Sequence, residues 1–302
     1  MQINSPAHPP ATTAESHPVR IGRWDIVRRI GEGSWSWVYQ VRPVGCAATQ
    51  PADYALKVLK PHSAERPECI AMLRRECEIA QTVTQAHLLP ALASHLKSAP
   101  YFMVTPYVSG ASVAQLLVSH VRLDVPDATW IARQTAEALA QLHRTGWIHG
   151  DVKPANVLVS PHGHVTLLDC GLGRRLATHE CDANDRVAGT LEYTAPELLQ
   201  TGETIGASSD IYALGVSLFQ MLTGQLPFHA ADAPSWVEAH LQTAPLALRS
   251  IVSYLPTELA TLLQSMLAKH PQHRPTAAAL VSALCAIEID TFSERQMLQN
   301  AA

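Results

Sequence analysis

The sequence predicts an α+β fold in two lobes, and three observations carry that expectation. β-prone runs separated by Gly and Pro turns fill the amino-terminal part, helical periodicity takes over after Ser109-Gly110, and no internal repeat relates the two. With 302 residues, 47% hydrophobic and 16% charged, the chain is expected to be ordered and to bury an ample core.

Residues 1–20 are dominated by Pro, Ala, Thr, Ser and His, without the cationic start and apolar run of a signal peptide, and read as a flexible tail. Strands are expected at 24–30, 37–41 and 54–59. A helix follows over 65–84, because Glu76, Ile79, Ala80 and Val83 recur at i, i+3, i+4 and i+7 on one face. Strands return at 88–96 and 101–107. Helices then follow at 112–119, 126–145, 211–222, 258–268 and 276–287.

Composition narrows the function classes. A net charge of −4 and the lack of a basic cluster argue against nucleic acid as a partner. Six cysteines without C-x-x-C spacing read as free thiols in a reducing, cytoplasmic setting. Fifteen histidines scatter, and His162 and His164 flank Gly163 in an expected hairpin turn without further ligands nearby. No stretch approaches the ~18–20 apolar residues of a membrane span.

The chemistry is concentrated in Ile148-His149-Gly150-Asp151-Val152-Lys153-Pro154-Ala155-Asn156 and, further on, Asp169-Cys170-Gly171. Asp151 can orient an attacking hydroxyl and accept its proton, and Lys153 can steady the charge on a phosphoryl group in transfer. Asn156 and Asp169 offer hard oxygen ligands to Mg²⁺, with Mn²⁺ the alternative. Upstream, Ile30-Gly31-Glu32-Gly33-Ser34-Trp35-Ser36-Trp37-Val38 places glycines between two strands, where backbone N–H groups can face phosphates.

These segments resemble, in order, the catalytic loop H-R-D-x-K-x-x-N, the D-F-G turn and the glycine-rich loop of protein kinases. Tyr54-Ala55-Leu56-Lys57 resembles the V-A-I-K strand. Further segments resemble the end of the activation segment (Gly189-Thr190-Leu191-Glu192-Tyr193-Thr194-Ala195-Pro196-Glu197), the central helix (Asp210-Ile211-Tyr212-Ala213-Leu214-Gly215) and the terminal H-x-R-P segment around Arg274. Across residues 24–287 the resemblance is to the bacterial eukaryotic-like (Hanks-type) Ser/Thr protein kinases, with Lys153 favouring Ser/Thr over Tyr.

The resemblance implies a kinase domain over 24–287, flanked by tails at 1–23 and 288–302. Its N-lobe (24–108) would be a five-stranded antiparallel sheet with one main helix, and its C-lobe (109–287) mostly helical. ATP would lie between them against Ile30, Gly31, Gly33, Ser34, Val38, Ala55 and Leu158. Lys57 would reach the α- and β-phosphates with Glu76 as its carboxylate partner, since Glu78 lies about 200° round the helix. Thr105 would guard the back of the adenine pocket, with the Pro106 carbonyl and Val108 N–H facing the base. Glu197 and Arg274 would form a buried ion pair costing ~3–5 kcal/mol to break one-sidedly, and Asp210 would anchor the catalytic loop. Substrates would be Ser and Thr residues of proteins, with autophosphorylation at Thr178 or Thr190.

Three positions depart from the family pattern: Ser36 for the third glycine, Gly150 for Arg and Cys170 for Phe. Gly150 removes the cation that docks a phosphorylated activation loop, so independence from such phosphorylation is expected, with Arg174, Arg175 and Arg186 as substitute cations. Cys170 and Ala80 are small and predict a thinly packed column between the lobes, hence activation by a partner or by dimerisation. Two rival readings are an ATP-binding pseudokinase scaffold and a small-molecule phosphotransferase. The full catalytic set argues against the first, and the Ala195-Pro196-Glu197 and Arg274 platform against the second.

Overall fold

A computed structural model describes residues 19–176, 190–200 and 206–291. The N-lobe sheet is antiparallel and has six strands in the order β1-β2-β3-β4-β6-β5: β1 Arg20–Ile21, β2 Trp24–Glu32, β3 Ser36–Pro43, β4 Tyr54–Leu59, β5 Ala93–His95 and β6 Phe102–Pro106. The expected sheet had five strands. The sixth is β1, which folds back on β2 with Ile21 opposite Trp24. Ile21 is buried in the N-lobe core with Tyr39, Val41, Leu56 and Val104, so the tail predicted at 1–23 gives way to structure by Arg20.

One long helix, α1 (Pro67–Thr82), crosses this lobe. Its inward face carries Leu73, Glu76 and Ile79, and Glu78 is exposed, as the periodicity requires. The strand expected over 88–96 shrinks to β5. Pro90 has no N–H for a ladder, and Leu88 instead bridges across the lobes to Leu167.

The C-lobe begins with β7 (Ala111–Ser112) and α2 (Val113–His120), which Ser112 and Gln115 open with a reciprocal capping box. Helix α3 (Val125–Arg144) is capped by Asp124, whose side chain accepts the Asp127 N–H at 2.9 Å. Short sheets follow: β8 (Trp147–Ile148) pairs with β11 (Arg174–Arg175), and β9 (Val157–Val159) lies between β7 and β10 (Val165–Leu167). Helix α4 (Ser208–Thr223) is buried along most of its length, as its near-continuous apolar run demands. Helices α6 (Leu248–Ile251) and α7 (Thr257–Met266) pack against it, α5 (Ala233–Gln242) reaches it through His240, 2.9 Å from the Tyr212 hydroxyl, and α8 (Ala277–Thr291) packs against α3. Helix α8 continues past residue 287, where a tail was expected to begin. Among the described residues, no helix is long and apolar enough to cross a membrane. Cys46, Cys69, Cys77, Cys170 and Cys285 are free thiols, and Cys181 lies outside the described residues.

Candidate active site

A cleft of about 810 Å³ separates the lobes. Its upper wall carries Ile30, Gly31, Gly33, Ser34, Val38 and Ala55, its back Thr105, Pro106 and Val108, and its floor Leu158. Strand register explains the convergence. Val38 stands opposite Lys57 and Ala55 opposite Thr105, so alternate residues of three neighbouring strands face one cavity.

Lys57 sits at the inner end. Its Nζ donates to Glu76 Oε2 at 2.7 Å and to Asp169 Oδ1 at 2.9 Å. Burial alone would lower Lys57, but the charges of Asp169 and Glu76 outweigh it and hold the ammonium above its ordinary range. Burial would likewise raise Asp169, and the Lys57 charge overrides it, leaving the carboxyl below its ordinary value. Glu76 is the member that yields: burial pushes it up to about 7 against the pull of Lys57, with the charge of Asp169 adding to the rise.

The catalytic-loop residues form a second cluster. Asp151 Oδ2 accepts from Asn156 Nδ2 at 2.9 Å and lies 2.7 Å from Lys153 Nζ. Its other oxygen, Oδ1, has no hydrogen-bond partner among the described residues. Asn156 Nδ2 also donates to the Asp151 carbonyl at 2.8 Å, so both amide hydrogens are spent and the amide oxygen is left as an acceptor. Asp169 has one carboxylate oxygen beyond the Lys57 pair. An amide oxygen and a carboxylate oxygen suit a hard divalent cation that keeps phosphate and water as its remaining ligands. Asp169 itself is left-handed at φ 63°, a conformation that costs ~1–3 kcal/mol outside glycine and concentrates at functional sites.

Asp210, at the start of α4, holds this loop from below. Its Oδ2 accepts the His149 N–H at 2.8 Å and its Oδ1 the Gly150 N–H at 2.9 Å, while His143 Nε2 lies 2.8 Å from Oδ2. Burial would raise Asp210, but the hydrogen bond and charge of His143 keep it below its ordinary value. Gly150 has a structural reason that the sequence concealed. It is left-handed at φ +79°, and a Cβ there would fall 2.6 Å from the Leu172 carbonyl oxygen. The position rejects a side chain as well as lacking a cation.

The structure gives two neighbouring residues a setting. Thr190, read as a phosphate acceptor, has its hydroxyl inside the cluster, 2.8 Å from Lys153 Nζ as acceptor. Thr178 and Arg186 lie outside the described residues. Of the substitute cations, Arg175 is engaged elsewhere: it pairs with exposed Glu78 of α1 at 2.8 Å and stacks 3.8 Å above the Trp147 ring. Cys170 is buried, and burial together with the charges of Glu76 and Asp169 raises its thiol well above the ordinary range, so it packs as a small apolar group. Ile79 offsets the small residue at Ala80. Its Cδ1 fills the space where a Cβ on Gly173 would lie, 2.6 Å away, and docks α1 onto the Asp169 turn.

The platform predicted around Glu197 and Arg274 is present. Arg274 Nη1 and Nη2 reach Glu197 Oε1 and Oε2 at 2.7 and 2.9 Å, with both side chains fully buried.

This geometry agrees with sequence comparison, in which the protein kinase domain profile matches residues 24–284. The chain belongs to the protein kinase family. The kinase domain is similar to bacterial proteins named as serine/threonine-protein kinases. It is 26% identical to a probable one, pknA2 of Bifidobacterium longum, over 88% of this chain and 35% of that protein. It is 28% identical to PrkC of Bacillus subtilis, over 91% of this chain and 42% of that protein. It is 30% identical to PknA of Corynebacterium glutamicum, over 86% and 55%. The kinase domain thus matches from about a third to just over half of the length of these relatives.

Sequence reasoning missed three parts of the site: His143 as a partner of Asp210, Trp35 against Lys57, and Thr190 as a partner of Lys153. The Leu-His pair at the end of α3 gave no periodic signal, and contacts between residues far apart in sequence leave none.

Proposed function

We propose that this kinase domain transfers the γ-phosphoryl group of ATP to Ser and Thr hydroxyls of proteins, its own included, with Mg²⁺ or alternatively Mn²⁺. The observation that carries the reading is the Asp151 cluster. One carboxylate oxygen is fixed by Asn156 and Lys153, which leaves the other to accept a hydrogen bond from an incoming hydroxyl. Asn156 and Asp169 would hold the divalent ion, which supplies neutralisation of phosphate charge.

Within this reading each side chain has one task. Asp151 orients the hydroxyl and takes its proton. Lys153 shields the charge that develops between donor and acceptor, and Thr190, through its hydrogen bond to Lys153, shapes the seat of the acceptor residue. Lys57 binds phosphate oxygens and is kept cationic by its carboxylates. Positioning and charge complementarity account for the catalysis. The Glu197–Arg274 platform favours a polypeptide over a small-molecule acceptor, because it braces the segment that ends at Glu197.

The test is phosphate transfer to a Ser/Thr peptide library by the wild type and by Asp151→Asn. The variant should lose about 10²–10⁴-fold in turnover while binding ATP within about twofold of the wild type, the change being isosteric and away from Lys57. Turnover at the wild-type rate would contradict the assigned role.

A further inference from the structure

Lys57 carries three N–H donors. Two are taken by Glu76 and Asp169. The indole of Trp35 also stands against the ammonium, its ring centroid 4.3 Å from Nζ, within the range of a cation–π contact. The same ring reaches the Asp169-Cys170-Gly171 turn: a Cβ on Gly171 would lie 3.4 Å from Trp35 Cζ2 and 3.3 Å from Asp169 Oδ1. Trp35 therefore stands among Lys57, α1 and the carboxylate turn. The two carboxylates and the indole leave little of the ammonium open, the Lys57 side chain being 13% exposed.

A phosphate oxygen that approaches Lys57 therefore competes with these three occupants. Glu76 and Asp169 are held by charge. The indole is neutral and has the weakest claim. Its backbone is fixed, since Lys60 N–H donates to the Trp35 carbonyl at 3.0 Å and the Gly33 N–H to the Ser36 carbonyl at 2.9 Å. Its side chain can still rotate out from under the exposed tip at Gly33-Ser34.

We propose that Trp35 is a gate displaced by phosphate. The indole sits on Lys57, nucleoside polyphosphates move it aside to reach the ammonium, and nucleosides bind beneath it undisturbed. Trp35 thereby sets how strongly the site prefers a phosphorylated nucleotide, and the proposal rests on the ATP-site reading given above.

The experiment compares adenosine and Mg²⁺-ADP binding to the wild type, Trp35→Phe and Trp35→Leu by calorimetry and by tryptophan emission. In the wild type ADP should change the emission and adenosine should not, and Trp35→Phe should lose most of the ADP response. Trp35→Leu should bind ADP about three- to tenfold more tightly, the range of a partly desolvated cation–π contact, with adenosine affinity unchanged. An ADP response that survives in Trp35→Phe would overturn the gate, as would equal tightening for both ligands or weaker ADP binding by Trp35→Leu. Failure of all three proteins to bind either ligand would overturn the ATP-site reading itself, and the gate with it.

Discussion

Arg274 spends all five of its guanidinium hydrogens on the protein, two of them on the carboxylate of Glu197 at 2.7 and 2.9 Å. The others go to the backbone carbonyls of Ala268, Ser208 and Lys269. This fully buried fork ties the end of the activation segment to α4 and to the turn before α8. Arg274→Ala leaves the Glu197 carboxylate buried without a partner. Urea unfolding should show a loss of about 3–5 kcal/mol. Arg274→Lys should also destabilise, because one ammonium cannot replace a bidentate fork. A loss below ~1 kcal/mol for the alanine variant would show that the pair contributes little beyond its packing.

Gly150 is set by backbone geometry, and restoring the family's arginine should therefore harm the enzyme. Gly150→Arg and Gly150→Ala should both lose stability by about 1–3 kcal/mol and turnover by about tenfold or more, since the loop carrying Asp151 must shift away from the Leu172 carbonyl. Thermal unfolding and peptide phosphorylation, measured together, check this. An arginine variant that gained activity would contradict it.

The glycine at 150 predicts that alignment of Asp151 depends on contacts that need no phosphate. Arg175, stacked on Trp147 and paired with Glu78, links the segment after Asp169 to the helix carrying Glu76. Peptide phosphorylation rates should be equal before and after complete phosphatase treatment. Arg175→Ala should lower kcat about three- to tenfold, in proportion to a modest exposed ion pair plus a cation–π contact. The exchange Arg175→Glu with Glu78→Arg should restore only the ion-pair share. A rate that collapses on dephosphorylation would sink this account.

The elevated Glu76 sets a pH limit on activity. Its proton comes off near pH 7, so above that value it is a carboxylate paired with Lys57, and below it the pair loses one charge. kcat/KM should fall as pH drops through about 7, and Glu76→Gln, fixed in the neutral form, should be slow and lack that limb. The limb is read from the free enzyme, so kcat/KM is the parameter to follow. A limb unchanged in Glu76→Gln would assign it to another group.

Much of this was legible in the sequence, for identifiable reasons. Lys57, Asp151, Asn156 and Asp169 sit in short segments that resemble those of protein kinases, Glu76 followed from that resemblance together with helical periodicity, and each lines the cleft. The main helices followed from apolar periodicity, as α1 and α3 show. Helix α5 was missed, although Asp232, whose side chain accepts the Ser235 N–H at 2.9 Å and which precedes Pro234, is a helix-start signal. Strand β1 escaped notice because two residues carry no period. The reason for Gly150 was hidden because the Leu172 carbonyl that excludes a side chain comes from a different segment.

The central claim, that this domain transfers phosphate, is tested most directly by intact mass after incubation with Mg²⁺-ATP, beside Asp169→Ala. Mass gained by the wild type in whole phosphate steps, and none by the variant, is the predicted result. No gain by the wild type, on itself or on a general Ser/Thr protein substrate, while ATP remains bound, would contradict the claim and leave an ATP-binding scaffold.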